Sequence, residues 1–153
     1  MLVLANEQSD MESILTLINE RPFVALEKIK KRLRSSPGEP RLLFYKGVTE
    51  AKVNQIDEAI NTYNDLINRH PNLPEPYNNL AVIYAERQEL DLAKETLEKA
   101  IKTNSSYSVA HVNLGDIYTQ MATNAYNMAF EIDKDNKIAK NKLKLITELF
   151  NYR

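Results

Sequence analysis

The sequence has no cysteine, which excludes disulfides, thiolate metal sites and cysteine nucleophiles. It has only two histidines, His70 and His111, too few for a histidine-rich metal site. No apolar run approaches the ~18 residues that a membrane helix needs, so we expect no membrane insertion. Glycine is also scarce, with three residues, and all six prolines lie at or before Pro76. Together with abundant Ala, Leu, Lys and Glu, these absences predict an all-α chain.

The chain also lacks an excess of either charge. Its 153 residues suit a single domain, and 43% apolar with 27% charged residues is a globular balance. Twenty basic and 21 acidic residues leave a net charge of −1, which argues against nucleic acid or an anionic membrane as the main partner. Basic clusters at residues 28–34 and 134–144 are interpreted as solvated helix faces, because no aromatic residues interleave for base stacking. Binding of an acidic protein surface by these clusters is an alternative.

An internal repeat organises the chain. Gly47, Ala81 and Gly115 recur at one constant interval, and Ala59 and Ala93 keep the same interval. The best copy covers residues 74–107 and has its apolar residues three and four apart on two helices, as expected for buried helix faces. Those residues are Tyr77, Leu80, Ala81 and Tyr84, then Ala93, Leu97 and Ala100.

A 34-residue period with these small and aromatic positions resembles the tetratricopeptide repeat family. The copy at 74–107 fills nearly every signature position and departs from the family only at Ser105, where a proline is usual. The resemblance implies an all-α, right-handed superhelix, that is, an α-solenoid of helix-turn-helix repeats with helical caps.

We divide the chain, as one domain over 1–153, into five segments. Residues 6–39 are a degenerate first repeat that caps the N-terminus, and Ser9 to Glu12 within them reads as a capping box. Residues 40–73 and 74–107 are repeats, although Lys46 and Glu50 replace apolar residues in the first of them. Residues 108–135 are a shortened repeat, and residues 136–153 form a C-terminal capping helix.

The shortened repeat lacks a turn. No glycine or proline interrupts residues 116–131, and the apolar spacing of three and four is unbroken, which predicts one helix from about 108 to 131. Its outer half would carry an uncovered apolar face. Either the C-terminal helix or a second copy of the chain could cover that face. The candidate self-association residues are Tyr118, Met121, Ala125, Tyr126, Phe130 and Leu149.

The family resemblance implies that the first helix of each repeat lines a concave groove for a peptide or helix of a partner. The groove residues so predicted are Arg41, Phe44, Val48, Lys52, Glu75, Asn78, Val82, Glu86, Val109, Val112, Asp116 and Thr119. Family members that hold the acidic tail of cytosolic chaperones use Lys and Asn at set groove positions. Phe44, Val48 and Val109 occupy three of those positions, so we do not expect this chain to bind such tails.

No catalytic constellation emerges, and we expect neither an enzyme nor a cofactor or metal. His111 occupies a repeat position that normally holds a packing aromatic, so it is predicted to be packed or half-buried. The predicted function is a non-enzymatic adaptor that binds a protein or peptide partner. The alternative is a self-associating scaffold, a homodimer through the C-terminal helices.

One local likeness bears on location. Residues 73–82, Ser106-Tyr107 and residues 113–118 look like a group of small bacterial envelope tetratricopeptide proteins, which also have the shortened last repeat. Val3-Leu4-Ala5 resembles the tail of a signal sequence, with small residues at the cleavage positions. We therefore expect a periplasmic or exported protein, with a cytoplasmic location as the alternative.

Overall fold

The computed structural model describes residues 2–151, with side chains for residues 10–150. This part of the chain folds into eight helices and no strand. The helices are α1 (Leu2–Glu20), α2 (Pro22–Ser35), α3 (Pro40–Lys52), α4 (Ile56–Arg69), α5 (Pro74–Glu86), α6 (Leu90–Thr103), α7 (Ser108–Ile132) and α8 (Lys137–Asn151). Each helix packs against the next one along the chain, and α5 also contacts α7. The predicted all-α solenoid is confirmed.

Prolines set three of the helix starts. Pro22, Pro40 and Pro74 are the first residues of α2, α3 and α5, where the missing N–H costs nothing. Before Pro40, the Glu39 carboxylate accepts hydrogen bonds from the amides of Arg41 and Leu42, at 3.1 and 2.9 Å. Local sequence therefore defines where these helices begin.

The capping box predicted at Ser9 is wrong, because α1 begins at Leu2 and runs through it. Asp10 instead pairs with two cations of the first basic cluster, Lys28 at 3.0 Å and Arg32 at 2.6 Å. The hydrogen bonds from Lys28 and then Arg32 lower the pKa of Asp10. Part of this basic cluster therefore fastens α2 to α1. The signal-sequence prediction at Val3, which rests on its side chain and its neighbours', lies outside the described side chains.

The turns inside the two regular repeats have the same geometry. Asn54 and Gln88 occupy the same position of the two repeats, and both adopt the left-handed conformation, with φ of 63° and 62°. The next residue in each turn donates its amide to a carbonyl five residues back, Gln55 to Glu50 at 2.8 Å and Glu89 to Tyr84 at 2.9 Å.

The shortened repeat has Ala122 at the corresponding position. Alanine is the strongest helix former and rarely adopts the left-handed conformation. Ala122 lies inside α7, which continues for 25 residues from Ser108 to Ile132. The predicted long helix is confirmed.

The two charged residues in the core of the repeat at 40–73 satisfy each other. Glu50 is 2% exposed, and one carboxylate oxygen lies 2.8 Å from Lys46 Nζ on the same helix. Its other oxygen accepts a hydrogen bond from the Thr62 hydroxyl at 2.6 Å, and Lys46 Nζ also donates to that hydroxyl at 2.6 Å. This triad joins α3 to α4 where the next repeat has Leu80 and Tyr84.

The expectation of a packed or half-buried His111 is wrong. It is exposed, and its Nε2 lies 3.0 Å from the carbonyl oxygen of Ser105 in the loop before α7. The ring is not packed between helices, because α7 has no returning helix beside it at this end.

Candidate functional site: a cleft between α5 and α7

An open cleft of about 290 Å³ lies between α5 and α7. Its floor is apolar and its rim carries amides and carboxylates, a combination typical of binding sites. The floor residues include Ala81, Ala85, Leu97 and Ile117; the polar residues are Glu86, Gln88, Asn113, Asp116 and Gln120, with Val82 beside them.

Three of the predicted groove residues, Val82, Glu86 and Asp116, line this cleft together. Val82 is 38% exposed, and Glu86 is exposed as well. Sequence reasoning missed Ala85, on the floor, and Gln120, on the rim. Each lies three or four residues from a predicted groove residue, so a wider stripe on the same helix face would have included them.

Asn78 does not belong to the groove surface. It is 4% exposed and stands in a chain of side-chain hydrogen bonds that links α7 to α4. Asn113 donates to Asn78 at 2.8 Å, Asn78 to Asn79 at 3.4 Å, and Asn79 to the Tyr63 hydroxyl at 3.2 Å. The structure corrects its role from partner contact to inter-repeat link.

Tyr63 is the last residue in this series of hydrogen bonds, and it lies in the core. Burial raises its pKa to about 12, and the negative charge of Glu50 adds to the rise. The hydrogen bond from Asn79 has the opposite, smaller effect. The phenol is therefore neutral over the physiological range and serves as a packing and hydrogen-bonding residue.

Phe44 and Val48 are half-buried, Phe44 against the cluster around Tyr63 and Val48 against the cluster around Ile14 and Leu42. The Phe44 ring lies 6.3 Å from the Tyr63 ring, centroid to centroid. Both side chains therefore support the fold, and their contact with a partner stays a prediction.

The remaining predicted groove residues lie outside the cleft. Arg41, Lys52, Val109 and Val112 are exposed, whereas Glu75 and Thr119 are half-buried. Lys52 reaches across to α1, where its Nζ donates to Asn19 Oδ1 at 3.0 Å. Thr119 donates its hydroxyl to the carbonyl of Gly115 at 2.8 Å. Contact of these six with a partner stays a prediction.

The residues predicted for self-association divide into two groups. Tyr118, Ala125 and Leu149 are exposed, whereas Met121, Tyr126 and Phe130 are half-buried. In the second group, Lys134 Nζ lies 5.2 Å from the centre of the Phe130 ring.

Among residues 10–150, no three His, Asp or Glu side chains come together in a way that would hold a metal ion. None of the described helices has the length and apolar character to cross a membrane.

Models of the tetratricopeptide repeat match residues 41–73 and 74–107. The uncharacterized protein ycf37 of Guillardia theta is 27% identical over 132 aligned positions, and the match covers 80% of this chain and 74% of that protein. In three further curated relatives, this chain spans 24% to 62% of their length. The narrower likeness to small bacterial envelope proteins stays a prediction.

Solved structures show the same fold. The tetratricopeptide protein TTC0263 of Thermus thermophilus superposes with a TM-score of 0.68 at 21% identity, over 94% of this chain and 82% of that one. The first tetratricopeptide domain of Spaghetti (RPAP3), bound to the HSP90 peptide SRMEEVD, gives 0.52 at 25% identity, over 73% and 93%.

Proposed function

Because this chain is a tetratricopeptide-repeat protein, we propose that it is a non-enzymatic adaptor that binds a peptide or helix of a partner protein in the cleft between α5 and α7. The observation that carries this proposal is the cleft itself, an apolar floor rimmed by Glu86, Asp116 and three amides. Tetratricopeptide repeats are protein-interaction modules, and the domain of Spaghetti cited above holds a peptide.

The cleft favours one kind of ligand. Small floor residues such as Ala81 and Ala85 leave room for an aliphatic side chain of the partner. The carboxylates of Glu86 and Asp116 favour a positively charged residue close to that side chain, because opposite charges at a rim assist encounter and orientation. The rim therefore differs from that of a site for an acidic chaperone tail.

A pair of matched substitutions tests the proposal. Val82→Glu places a carboxylate on the cleft wall, whereas Leu92→Glu places one on α6 outside the cleft, and the two side chains are 38% and 39% exposed. Each purified chain is immobilised, and the proteins retained from a native lysate are quantified by mass spectrometry. We expect the wild type and Leu92→Glu to retain at least one protein in equal amount. Val82→Glu should retain about tenfold less of that protein or none, which is the size of effect expected when a central anchor is lost.

Retention that Val82→Glu leaves intact would contradict the proposal, as would a wild-type chain that retains no protein. Circular dichroism of the three chains provides the folding control. A second function, self-association through the C-terminal helices, is favoured by the exposed apolar face of α7.

A further inference from the structure

The second half of α7 has an unusual composition for a surface helix. Residues 117–130 contain no Asp, Glu, Lys, Arg or His, in a chain with 27% charged residues. A surface helix ordinarily carries charged residues on its outer face. Buried interface centres are instead depleted in charge and enriched in Tyr and Met, and this segment contains Tyr118, Met121, Tyr126 and Met128.

One side of this helix forms an apolar seam with alternating spacings of four and three residues, the heptad spacing of helices that pair side by side. The seam residues are Leu114, Tyr118, Met121, Ala125, Met128 and Ile132. Tyr118, Met128 and Ile132 are 49%, 63% and 81% exposed, so the described residues leave about half or more of each side chain uncovered. Leu114 and Met121 are half-buried against the core of the repeat at 74–107. Tyr126 and Phe130, included in the sequence prediction, lie off this seam.

We infer that a second copy of this chain covers the seam, with the two α7 helices antiparallel about a two-fold axis near Thr123. In this register Tyr118 faces the partner's Met128, a favourable sulfur–aromatic pairing. Met121 faces the partner's Ala125, so a long side chain fills the space over a small one. Leu114 faces the partner's Ile132. The two-fold axis repeats each pair, so one stripe supplies both sides of the contact.

Charge and length also favour a second copy. Two identical surfaces repel each other when they carry like charges, and the segment at 117–130 carries none. The seam from Leu114 to Ile132 is about 27 Å long at 1.5 Å per residue. A single helix pair of that length covers less than the ~800 Å² per partner of a standard interface, so we expect a dimer that dissociates on dilution.

Sedimentation velocity on the full chain over a wide concentration range tests the inference. We expect a monomer–dimer equilibrium that Met128→Glu shifts to monomer, with a dissociation constant raised more than about 30-fold, since it buries two unpaired carboxylates. Val112→Glu is the control, because Val112 is exposed on the same helix but off the seam. Both residues are exposed, so circular dichroism should show the same helix content in all three chains.

A double variant tests the antiparallel register. Tyr118→Lys with Met128→Glu in one chain places each lysine opposite the partner's glutamate, and we expect dimerisation to return to within about tenfold of the wild type. A parallel pair would instead bring like charges together. The inference is overturned by a wild type that is monomeric at every concentration, by equal effects of Met128→Glu and Val112→Glu, or by a double variant that stays monomeric. A monomer that binds phosphatidylglycerol vesicles through Met128 would overturn it in favour of a lipid surface.

Discussion

Gly47 and Gly115 occupy the same position of the repeats at 40–73 and 108–135, but their surroundings are opposite. A Cβ at Gly47 would lie 2.6 Å from the Cε1 atom of Tyr63, which is far inside van der Waals contact. A Cβ at Gly115 would meet no atom within 4 Å apart from its chain neighbours and the backbone of its own helix. The first glycine is covered by the second helix of its own repeat, whereas the second lies on a helix that does not turn back.

The comparison separates two regions of the molecule. In residues 40–103 the first helix of each repeat packs against a second helix, α3 against α4 and α5 against α6. These are the closed repeats. In the repeat at 108–135 the signature positions, such as Gly115 and Tyr118, lie on α7, and one side of this helix is partly exposed. This is the open repeat. Gly47 therefore has a packing role that Gly115 lacks, and α7 leaves apolar side chains such as Met128 and Ile132 exposed.

The largest expected effect comes from breaking the charged core of the closed repeat. Lys46→Leu leaves the buried Glu50 carboxylate with only the Thr62 hydroxyl, and an uncompensated buried charge costs about 3–5 kcal/mol. Urea denaturation measures the free energy of unfolding. Lys94→Leu is the matched control: its side chain is 30% exposed against 25% for Lys46, and its contact to Asp91 is 4.0 Å long. We expect that control to change stability by less than about 1 kcal/mol.

The next repeat indicates how the loss should be repaired. It has Leu80 and Tyr84 where this repeat has Lys46 and Glu50. Adding Glu50→Tyr to Lys46→Leu removes the stranded charge, and replacement of a buried ion pair by apolar residues is often neutral or stabilising. We expect the double variant to regain most of the lost stability. Equal losses for Lys46→Leu and Lys94→Leu would show that the triad does not hold α3 and α4 together.

Much of the fold could be predicted from the sequence, because its signals are visible in the residue pattern itself. The prolines at helix starts and the uninterrupted run after Gly115 depend on residues close in the chain, and the repeat period appears when equivalent positions are compared. Asn78 was not predictable in this way, since its burial depends on Asn113, 35 residues later, and on the angle between two repeats. The start of α1 was mistaken because Ser9 has the residue type of a cap but a helix precedes it.

Gly47→Ala tests the closeness of the packing. The methyl group must displace the ring of Tyr63, which is fully buried and hydrogen-bonded to Asn79, so the usual cost of overpacking, about 1–3 kcal/mol, outweighs the helix propensity gained. We expect a net destabilisation of about 1–2 kcal/mol by urea denaturation. The repeat at 74–107 combines Ala81 with Leu97 at these positions, so Gly47→Ala with Tyr63→Leu should cost less than the two separate changes together. If the stability changes of the two single variants simply add in the double variant, residue 47 and the side chain of Tyr63 are not in close contact.

Gly115→Ala should have the smallest effect and the opposite sign. The position is exposed and interior to α7, and an added Cβ has open space around it. Alanine restricts the unfolded chain and favours helix over glycine by about 1 kcal/mol, and no described neighbour of Gly115 opposes that gain. We expect stability to rise by about 0.5–1 kcal/mol, measured beside Gly47→Ala under identical conditions. If Gly115→Ala lowered the stability as much as Gly47→Ala does, another helix would have to cover this face of α7. The distinction between closed and open repeats would then fail.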